Sequence, residues 1–278
     1  MNVLISILAA LAAAALVMTG TALVARRQGR VAIVDVAWGL GFVLAAVASG
    51  AAALLLDAGD AVRTGIVVAM VAVWGLRLAA HIGRRSAGHR DEDPRYVKLL
   101  GGTLAEVGMA RAVRKVFAIQ GAALAFVALP VAVGVVQDVA WWPVVVLGVV
   151  VWAVGLVFEA VGDAQLSAYR AQPRESRPPV LDTGLWAWTR HPNYFGDSCV
   201  WWGTWLAGGL ASGWVVGLAT VAAPAVMTYF LVHATGARLL EQTMMKRPGY
   251  PEYAARTPLF LPRPPRRQDR GRRGHRVP

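Results

Sequence analysis

An arginine-rich stretch in the second half of the chain contains the residue types that bind phosphate. Arg170, Arg174 and Arg177 precede a Pro-rich turn, and Arg190 lies two residues before Pro192. The guanidinium group can pair with phosphate oxygens through two parallel hydrogen bonds. Proline suits a first helical turn, and the free N–H groups there attract anions. The stretch therefore predicts a site for a pyrophosphate-bearing ligand, although each arginine taken alone is better explained as part of a basic loop beside a membrane.

Polar side chains also occur inside long apolar runs, where they are costly and usually face a cavity. They all fall in the same half of their runs, which predicts a polar cavity open on one side of a membrane. Such a cavity suits a soluble, charged cosubstrate and a lipid that enters sideways, whereas a channel needs polar groups through the full thickness. Snorkelling is the alternative for long side chains, but short ones cannot snorkel far. The residues are Asp35, Arg77, His81, Gln120, Glu159, Asp163, Asn193, Asp197, His233 and Arg238.

The composition places these residues in a membrane protein. Hydrophobic residues make up 56% of the 278 residues and charged residues only 16%, which is too little charge to cover a soluble domain. Seven apolar runs are long enough to cross a bilayer, so we predict an all-α integral membrane protein with seven transmembrane helices. The runs cover roughly residues 3–24, 31–56, 63–83, 116–136, 139–161, 194–212 and 214–236.

The basic residues predict the orientation of these spans. Lys and Arg follow the first, third and fifth runs and fill the C-terminal tail, whereas the connections near residues 57–60, 137–138 and 211–213 contain none. The positive-inside rule therefore places the N-terminus outside and the C-terminus in the cytoplasm. The first run is expected to be a retained span and not a secretory signal, because its positive charges begin at Arg26, after the apolar stretch.

Residues 1–262 are predicted to form one membrane domain with a cofactor-binding half over about 115–262, and residues 263–278 to form a disordered basic tail. The basic loops and the tail are expected to contact anionic lipids. Despite a net charge of +12, nucleic acid is not expected as a partner, because the basic residues do not share one soluble face. The single cysteine, Cys199, makes no metal cluster, and no metal site is predicted.

Motifs of several common soluble enzymes are absent from the sequence. There is no GxGxxG after a strand, no Walker sequence, no HExxH and no GxSxG. A Rossmann domain, a P-loop, a zinc protease and an α/β-hydrolase are therefore not supported.

The segment from Arg190 to Asp197, which reads Arg-His-Pro-Asn-Tyr-Phe-Gly-Asp, resembles the steroid 5-alpha-reductase superfamily. It is most similar to the bacterial membrane proteins related to the C-terminal domain of 3-oxo-5-alpha-steroid 4-dehydrogenase. The resemblance runs over roughly residues 30–262. Further matching pieces are Asp35-Val-Ala-Trp38-Gly, Trp74-Gly-Leu-Arg77-Leu-Ala-Ala-His81, Glu92-Asp93-Pro-Arg95-Tyr96, Glu159-x-x-x-Asp163 and Gly184-Leu-Trp.

The resemblance implies a seven-span fold that binds NADPH from the cytoplasm, in a bacterial inner or plasma membrane. It also implies hydride transfer to a conjugated carbon–carbon double bond. Glu159 stands where steroid reductases typically have Asn, and Asp197 where they have Glu. The Glu and Tyr that hold the steroid ketone have no clear identical counterparts, and Asp35 and His81 are the nearest substitutes. The candidate cofactor-binding residues are Glu159, Asp163, Arg170, Arg190, His191, Asn193, Tyr194, Asp197 and Arg238.

These observations predict a membrane-embedded NADPH-dependent reductase that acts on a hydrophobic enone, such as a 3-oxo-4-ene steroid or another lipid. Hydride would reach the β-carbon, and charge would develop on the carbonyl oxygen. His81, oriented by Asp35, is the candidate donor that stabilises this enolate and acts as general acid. The alternative for these two residues is a structural ion pair that joins two helices.

Two other functions remain open at this point. An S-adenosylmethionine-dependent isoprenylcysteine or lipid carboxyl methyltransferase shares Glu241 and Arg190-His191-Pro192. The arginine-rich loop favours NADPH over that cofactor, because NADPH carries several phosphate groups and S-adenosylmethionine none. A non-enzymatic lipid-binding membrane protein is the third possibility, and the costly polar groups inside the spans argue against it.

Overall fold

The computed structural model describes residues 1–88, 91–234 and 236–265. All regular secondary structure in these ranges is helical, which confirms the predicted all-α class. Most of the predicted tail, residues 266–278, lies outside the described residues.

Within the described ranges, five helices are long and apolar enough to cross a bilayer, as expected for an integral membrane protein. The last of them runs through four shorter helical segments, and its Thr235 lies outside the described residues. The predicted count of seven spans and the predicted orientation of the termini stay predictions. The five are α1 (Asn2–Gln28), α2 (Val34–Leu55), α3 (Ala61–Ser86), α9 (Trp142–Ala171) and Trp214–Met244, which comprises α11 (Trp214–Thr220), α12 (Ala222–Tyr229), a π-helix (Phe230–Ala234) and α13 (Ala237–Met244).

The predicted fourth and sixth spans are broken helical runs. Pro130, near the start of α8 (Leu129–Gly134), cannot donate a helical hydrogen bond. The sixth run ends at Gly213, whose φ is 111°. The fourth run comprises α6 (Met109–Ala112), a π-helix (Val113–Phe117), α7 (Ala118–Val127) and α8 (Leu129–Gly134), and the sixth comprises α10 (Pro192–Thr204), a π-helix (Trp205–Gly209) and a 3-10 turn (Leu210–Ser212).

Helix α9 extends about ten residues beyond the predicted fifth span, as far as Ala171. No proline interrupts the sequence until Pro173. Glu159 and Asp163, expected at the end of a span, are therefore well inside a helix. Their spacing of four residues places both on one helical face.

The chain divides into two compact units. The first unit comprises Met1–Val150 and Gly203–Pro224, and the second comprises Val151–Trp202 and Ala225–Pro278. The loops contain short helices, namely α4 (Pro94–Leu100), α5 (Leu104–Val107), a 3-10 turn (Gly184–Ala187) and α14 (Tyr250–Arg256).

Glycine lets α2 and α3 touch in the first unit. A Cβ on Gly39 would collide with the carbonyl oxygen of Gly75, and one on Gly75 with that of Gly39. Such close backbone approach is typical of small residues between membrane helices. Beside this contact, Phe42 packs edge-on between Trp38 and the fully buried Trp74, with ring centroids 5.1 and 5.6 Å apart.

Arg63 joins the ends of the two broken runs in the first unit. Its side chain is fully buried near the start of α3. The guanidinium group donates to the carbonyl oxygens of Gly134 and Gln137, to the Gly208 carbonyl and to the Ser212 hydroxyl. Carbonyls near a helix end have no partner in their own helix, so one cation satisfies several of them.

In the second unit, α9 and α10 pack through glycines. Gly155 and Gly162 lie seven residues apart, on one face of α9. A Cβ on Gly155 would lie 2.7 Å from the Val200 nitrogen, and one on Gly162 would lie 3.1 Å from the Pro192 ring. Because α10 begins at Pro192, as predicted, this contact brings Glu159 and Asp163 beside the start of α10.

Candidate functional site

Three side chains of the second unit converge on Glu241. Arg190 Nη1 lies 2.9 Å from Glu241 Oε2, and His191 Nε2 lies 3.1 Å from Glu241 Oε1. The Tyr250 hydroxyl donates to the same Oε1 at 2.5 Å. The side chains of Arg190 and Glu241 are only 14% and 13% exposed, so a charged pair is held away from bulk water. We refer to Arg190, His191, Glu241 and Tyr250 as the Glu241 network.

The C-terminal segment 258–263 holds the backbone at Arg190 in place. The backbone N–H of Arg190 donates to the Pro258 carbonyl at 2.9 Å. The Thr189 hydroxyl donates to the Phe260 carbonyl at 2.9 Å, and it accepts from the His191 N–H at 3.3 Å. The His191 ring stacks on the Tyr194 ring with a centroid separation of 5.4 Å. These contacts hold the Arg190 backbone and the His191 ring in place.

Tyr250 is a neutral donor in the Glu241 network. Burial raises the pKa of its hydroxyl above the usual range, and its hydrogen bond to the Glu241 carboxylate raises that pKa further. The hydroxyl therefore keeps its proton at physiological pH and donates a hydrogen bond to Glu241.

A second polar group lies where α9 meets α10. Glu159 and Asp163 are 3% and 7% exposed. Asn193 Nδ2 donates to Asp163 Oδ1 at 3.2 Å, and Asn193 Oδ1 accepts from the Tyr194 N–H at 3.1 Å. Asp197 is half-buried one turn further along α10. The structure thus brings Glu159, Asp163 and Asn193 to one helix pair.

The two remaining cofactor candidates are on the surface. Arg170 is exposed in the last turn of α9, and Arg238 is exposed in the first turn of α13. Both side chains are therefore accessible to solvent.

The loop before the Arg-His-Pro segment is anchored at several points. Gln165 accepts from the Leu185 N–H at 3.0 Å, and the Trp186 indole donates to the Gly162 carbonyl at 3.1 Å. The Tyr253 hydroxyl donates to the Trp186 carbonyl at 2.6 Å. Helix α9, the loop and α14 therefore form one frame around Arg190.

Asp35 belongs to a separate cluster in the first unit. It accepts a short hydrogen bond from the Tyr96 hydroxyl, and its other oxygen lies 2.8 Å from Arg95 Nη2. Gln120 donates to the Tyr96 oxygen at 3.2 Å. Tyr96 is 7% exposed, so one buried hydroxyl joins α2, α4 and α7. We refer to Asp35, Arg95, Tyr96 and Gln120 as the Asp35–Tyr96 cluster.

The loop that carries Tyr96 is docked on the start of α2. Glu92 accepts from the N–H groups of Val31 and Ala32, and Asp93 caps α4 by accepting from the Arg95 N–H. The hydrogen bond from the Arg95 side chain lowers the pKa of Asp93. Burial, followed by the negative charge of Asp35, raises the pKa of Tyr96 well above its usual range.

His81 is half-buried in the last two turns of α3. Its predicted pairing with Asp35 stays a prediction. Sequence reasoning missed the role of Tyr96, although Tyr96 closes the Glu92-Asp93-Pro-Arg95-Tyr96 piece that carried part of the resemblance. Glu241 was noted only as a feature of the methyltransferase alternative, and its position among Arg190, His191 and Tyr250 was not foreseen.

The fold and these clusters define a helical integral membrane protein with ionisable side chains assembled inside each unit. The chain belongs to the family described as "Protein of unknown function (DUF1295)", which matches residues 22–257. This range contains every candidate site residue. No curated protein and no solved structure matches the chain.

Proposed function

We propose that this protein is a membrane-embedded NADPH-dependent reductase that transfers hydride to the conjugated double bond of a hydrophobic enone, such as a 3-oxo-4-ene steroid or another lipid. One observation carries the proposal. Asp163 and Asn193, thirty residues apart in sequence, are hydrogen-bonded beside the buried Glu159. All three are positions that the resemblance to the steroid 5-alpha-reductase superfamily assigns to NADPH.

The donor and acceptor chemistry of the second unit fits this cofactor. Exposed arginines such as Arg170 suit its phosphates. A carboxylate and an amide, as in Asp163 and Asn193, suit hydroxyl and carboxamide groups. When bound, NADPH supplies the hydride, while the protein supplies orientation and a water-poor site.

The Asp35–Tyr96 cluster suits the carbonyl end of the substrate. As hydride adds to the β-carbon, the electron pair of the double bond moves toward the carbonyl oxygen, and the α-carbon finally takes a proton. On substrate binding, the Tyr96 hydroxyl, which burial and Asp35 keep protonated, would redirect its single O–H from Asp35 to that oxygen. We assign Tyr96 this role beside His81, which remains a candidate general acid.

The proposal includes seven spans, an outside N-terminus and a site that faces the cytoplasm of a bacterial inner or plasma membrane. NADPH then arrives from the cytoplasm and the lipid substrate from the bilayer. The one-sided distribution of Lys and Arg supports this orientation. Anionic lipids are the expected neighbours of the basic loops.

A specific observation also favours the second candidate, a methyltransferase that uses S-adenosylmethionine on a lipid carboxylate. Glu241 contacts both Arg190 and His191, and the sequence shares these three residues with isoprenylcysteine carboxyl methyltransferases.

Binding experiments with both cofactors distinguish the two candidates. The purified protein in detergent is titrated with NADPH and, separately, with S-adenosylmethionine, and NADPH oxidation is followed with a 3-oxo-4-ene steroid. The reductase predicts NADPH binding that weakens in Asn193→Ala. Binding of S-adenosylmethionine together with no binding of NADPH would overturn the proposal.

A further inference from the structure

A long apolar groove runs along α1 in the first unit. Its volume is about 630 Å³, within the range of about 300–1,000 Å³ typical of ligand sites. One wall is α1 from Leu11 to Arg26, and the other is the π-helix with its neighbours from Met109 to Ala122. Along α1 this stretch measures about 22 Å, which exceeds one leaflet of a hydrocarbon core about 30 Å thick.

The groove continues toward the other end of α1. A second cavity of about 300 Å³ shares Leu11 and Ala122 with the groove and extends to Ile7 and Ala132. Most of the lining is alanine or other small side chains, and the exposed Leu11 and Leu23 border it on α1. Small side chains leave space between the two helices that a flexible hydrocarbon chain can fill.

Basic residues lie on both segments that form the groove. Arg26 lines the groove itself. The opposite wall carries Arg111, Arg114 and Lys115 on the segment that contributes Val113 and Phe117. Neither α1 nor the run from Met109 to Gly134 contains an acidic residue. An apolar groove with one arginine in its lining and further basic residues on the same two segments matches an amphiphile with an acyl chain and an anionic head group.

We propose that this groove binds one anionic phospholipid, with its phosphate at Arg26 and an acyl chain beside Ala15, Met18 and Phe117. The π-helix at Val113–Phe117 contributes Val113 and Phe117 to the wall of the groove, and π-segments are frequently found at functional sites. The inference concerns the first unit alone and does not depend on the reductase activity.

Two pairs of variants test the site. Arg26→Gln removes the lining cation, whereas Arg27→Gln removes an exposed neighbour that does not line the groove. Ala15→Phe fills the groove, whereas Ala12→Phe adds the same ring to an exposed position outside the lining. Native mass spectrometry of the full chain in detergent then counts bound phosphatidylglycerol and phosphatidylcholine with identical acyl chains.

The wild-type chain should bind one phosphatidylglycerol and prefer it over phosphatidylcholine by about five-fold or more. Arg26→Gln should abolish the preference and Ala15→Phe should lower binding of both lipids, while the two control variants match the wild type. The proposal is overturned if no lipid is retained, if neither lipid is preferred, or if Arg26→Gln and Arg27→Gln behave alike. A second protein copy in the groove, or a neutral lipid retained in preference to phosphatidylglycerol, would overturn it equally.

Discussion

At the scale of single residues, the Asp35–Tyr96 cluster changes what can be expected of Asp35. A short carboxylate inside an apolar run needs a partner, and the structure gives it two, Arg95 and Tyr96. A buried hydroxyl held between a carboxylate and an amide can position a carbonyl, but it can equally tie helices together. Mutants separate these two roles.

Asp35→Asn, His81→Ala and Tyr96→Phe should each lower enone reduction by about 10²-fold or more if their side chains act on the carbonyl, the loss typical of a missing oxyanion donor. NADPH affinity and the melting temperature should change little, and all three quantities are measured on the same preparations. A purely structural cluster would instead lower stability and NADPH affinity together. Wild-type turnover in all three variants would show that none of these side chains acts on the substrate carbonyl.

Arg170→Ala should weaken NADPH binding by about ten-fold or more, because a hydrogen bond to a charged group contributes about 1.5–3 kcal/mol. Arg84→Ala, which removes an exposed arginine from the last turn of α3, is the matched control and should bind as the wild type does. Fluorescence titration of the purified variants measures both constants. Equal dissociation constants for the wild type, Arg170→Ala and Asn193→Ala would exclude both residues from the cofactor site.

Glu241→Gln should destabilise the protein strongly, because Arg190 would remain poorly hydrated without its counter-charge. Breaking a buried pair by removing one partner costs about 3 kcal/mol, and the partial exposure of this pair reduces that figure. Tyr250→Phe removes only a hydrogen bond and should cost about 1 kcal/mol. Thermal unfolding in detergent measures both, and an equal loss in the two variants would contradict a charge-based role for Glu241.

At the scale of helices, the position of Asp163 beside Asn193 depends on how closely α9 and α10 approach. Glycines at 155, 162 and 196 allow this contact, since any side chain there would meet the backbone or a ring of the other helix. The site geometry is therefore a consequence of helix packing as much as of the polar residues themselves.

Gly196→Ala should lower stability by about 1–3 kcal/mol, the usual cost of overpacking, and should weaken NADPH binding by separating the two helices. The added Cβ would lie 2.5 Å from the Glu159 nitrogen. The control is Gly20→Ala on α1, where the added Cβ would have no neighbouring atom within 4 Å. This change should be neutral or stabilise the protein by about 0.5–1 kcal/mol. The melting temperature and NADPH titration provide the measurements. Unchanged values for Gly196→Ala would contradict the prediction, because the two helices would then accommodate the methyl group without loss of stability or NADPH affinity.

At the scale of the whole molecule, the proposed orientation makes a prediction for each loop. In a Cys199→Ala background, cysteines at Gly88 and Ser176 should react with a membrane-impermeant maleimide only in permeabilised cells. Cysteines at Asp57 and Asp138 should react in intact cells, because their loops lack Lys and Arg. Labelling of position 138 only after permeabilisation would reverse the orientation.

The amino-acid sequence determined the membrane class, the five long helices and the regions where polar side chains gather. These features depend on local properties, namely the length of an apolar run, the proline that starts α10 and the four-residue spacing of Glu159 and Asp163. Near neighbours along the chain set hydropathy and helical periodicity, so both can be read from the sequence.

The tertiary structure alone decided which side chains meet. Tyr96 contacts Asp35 across 61 residues, and His191 contacts Glu241 across 50. It also decided that two expected spans are broken helical runs, and that Arg63 is buried among the carbonyls at their ends. Such partnerships depend on the separation and rotation of packed helices, which no local pattern specifies, because a polar side chain inside an apolar run signals only that some partner exists.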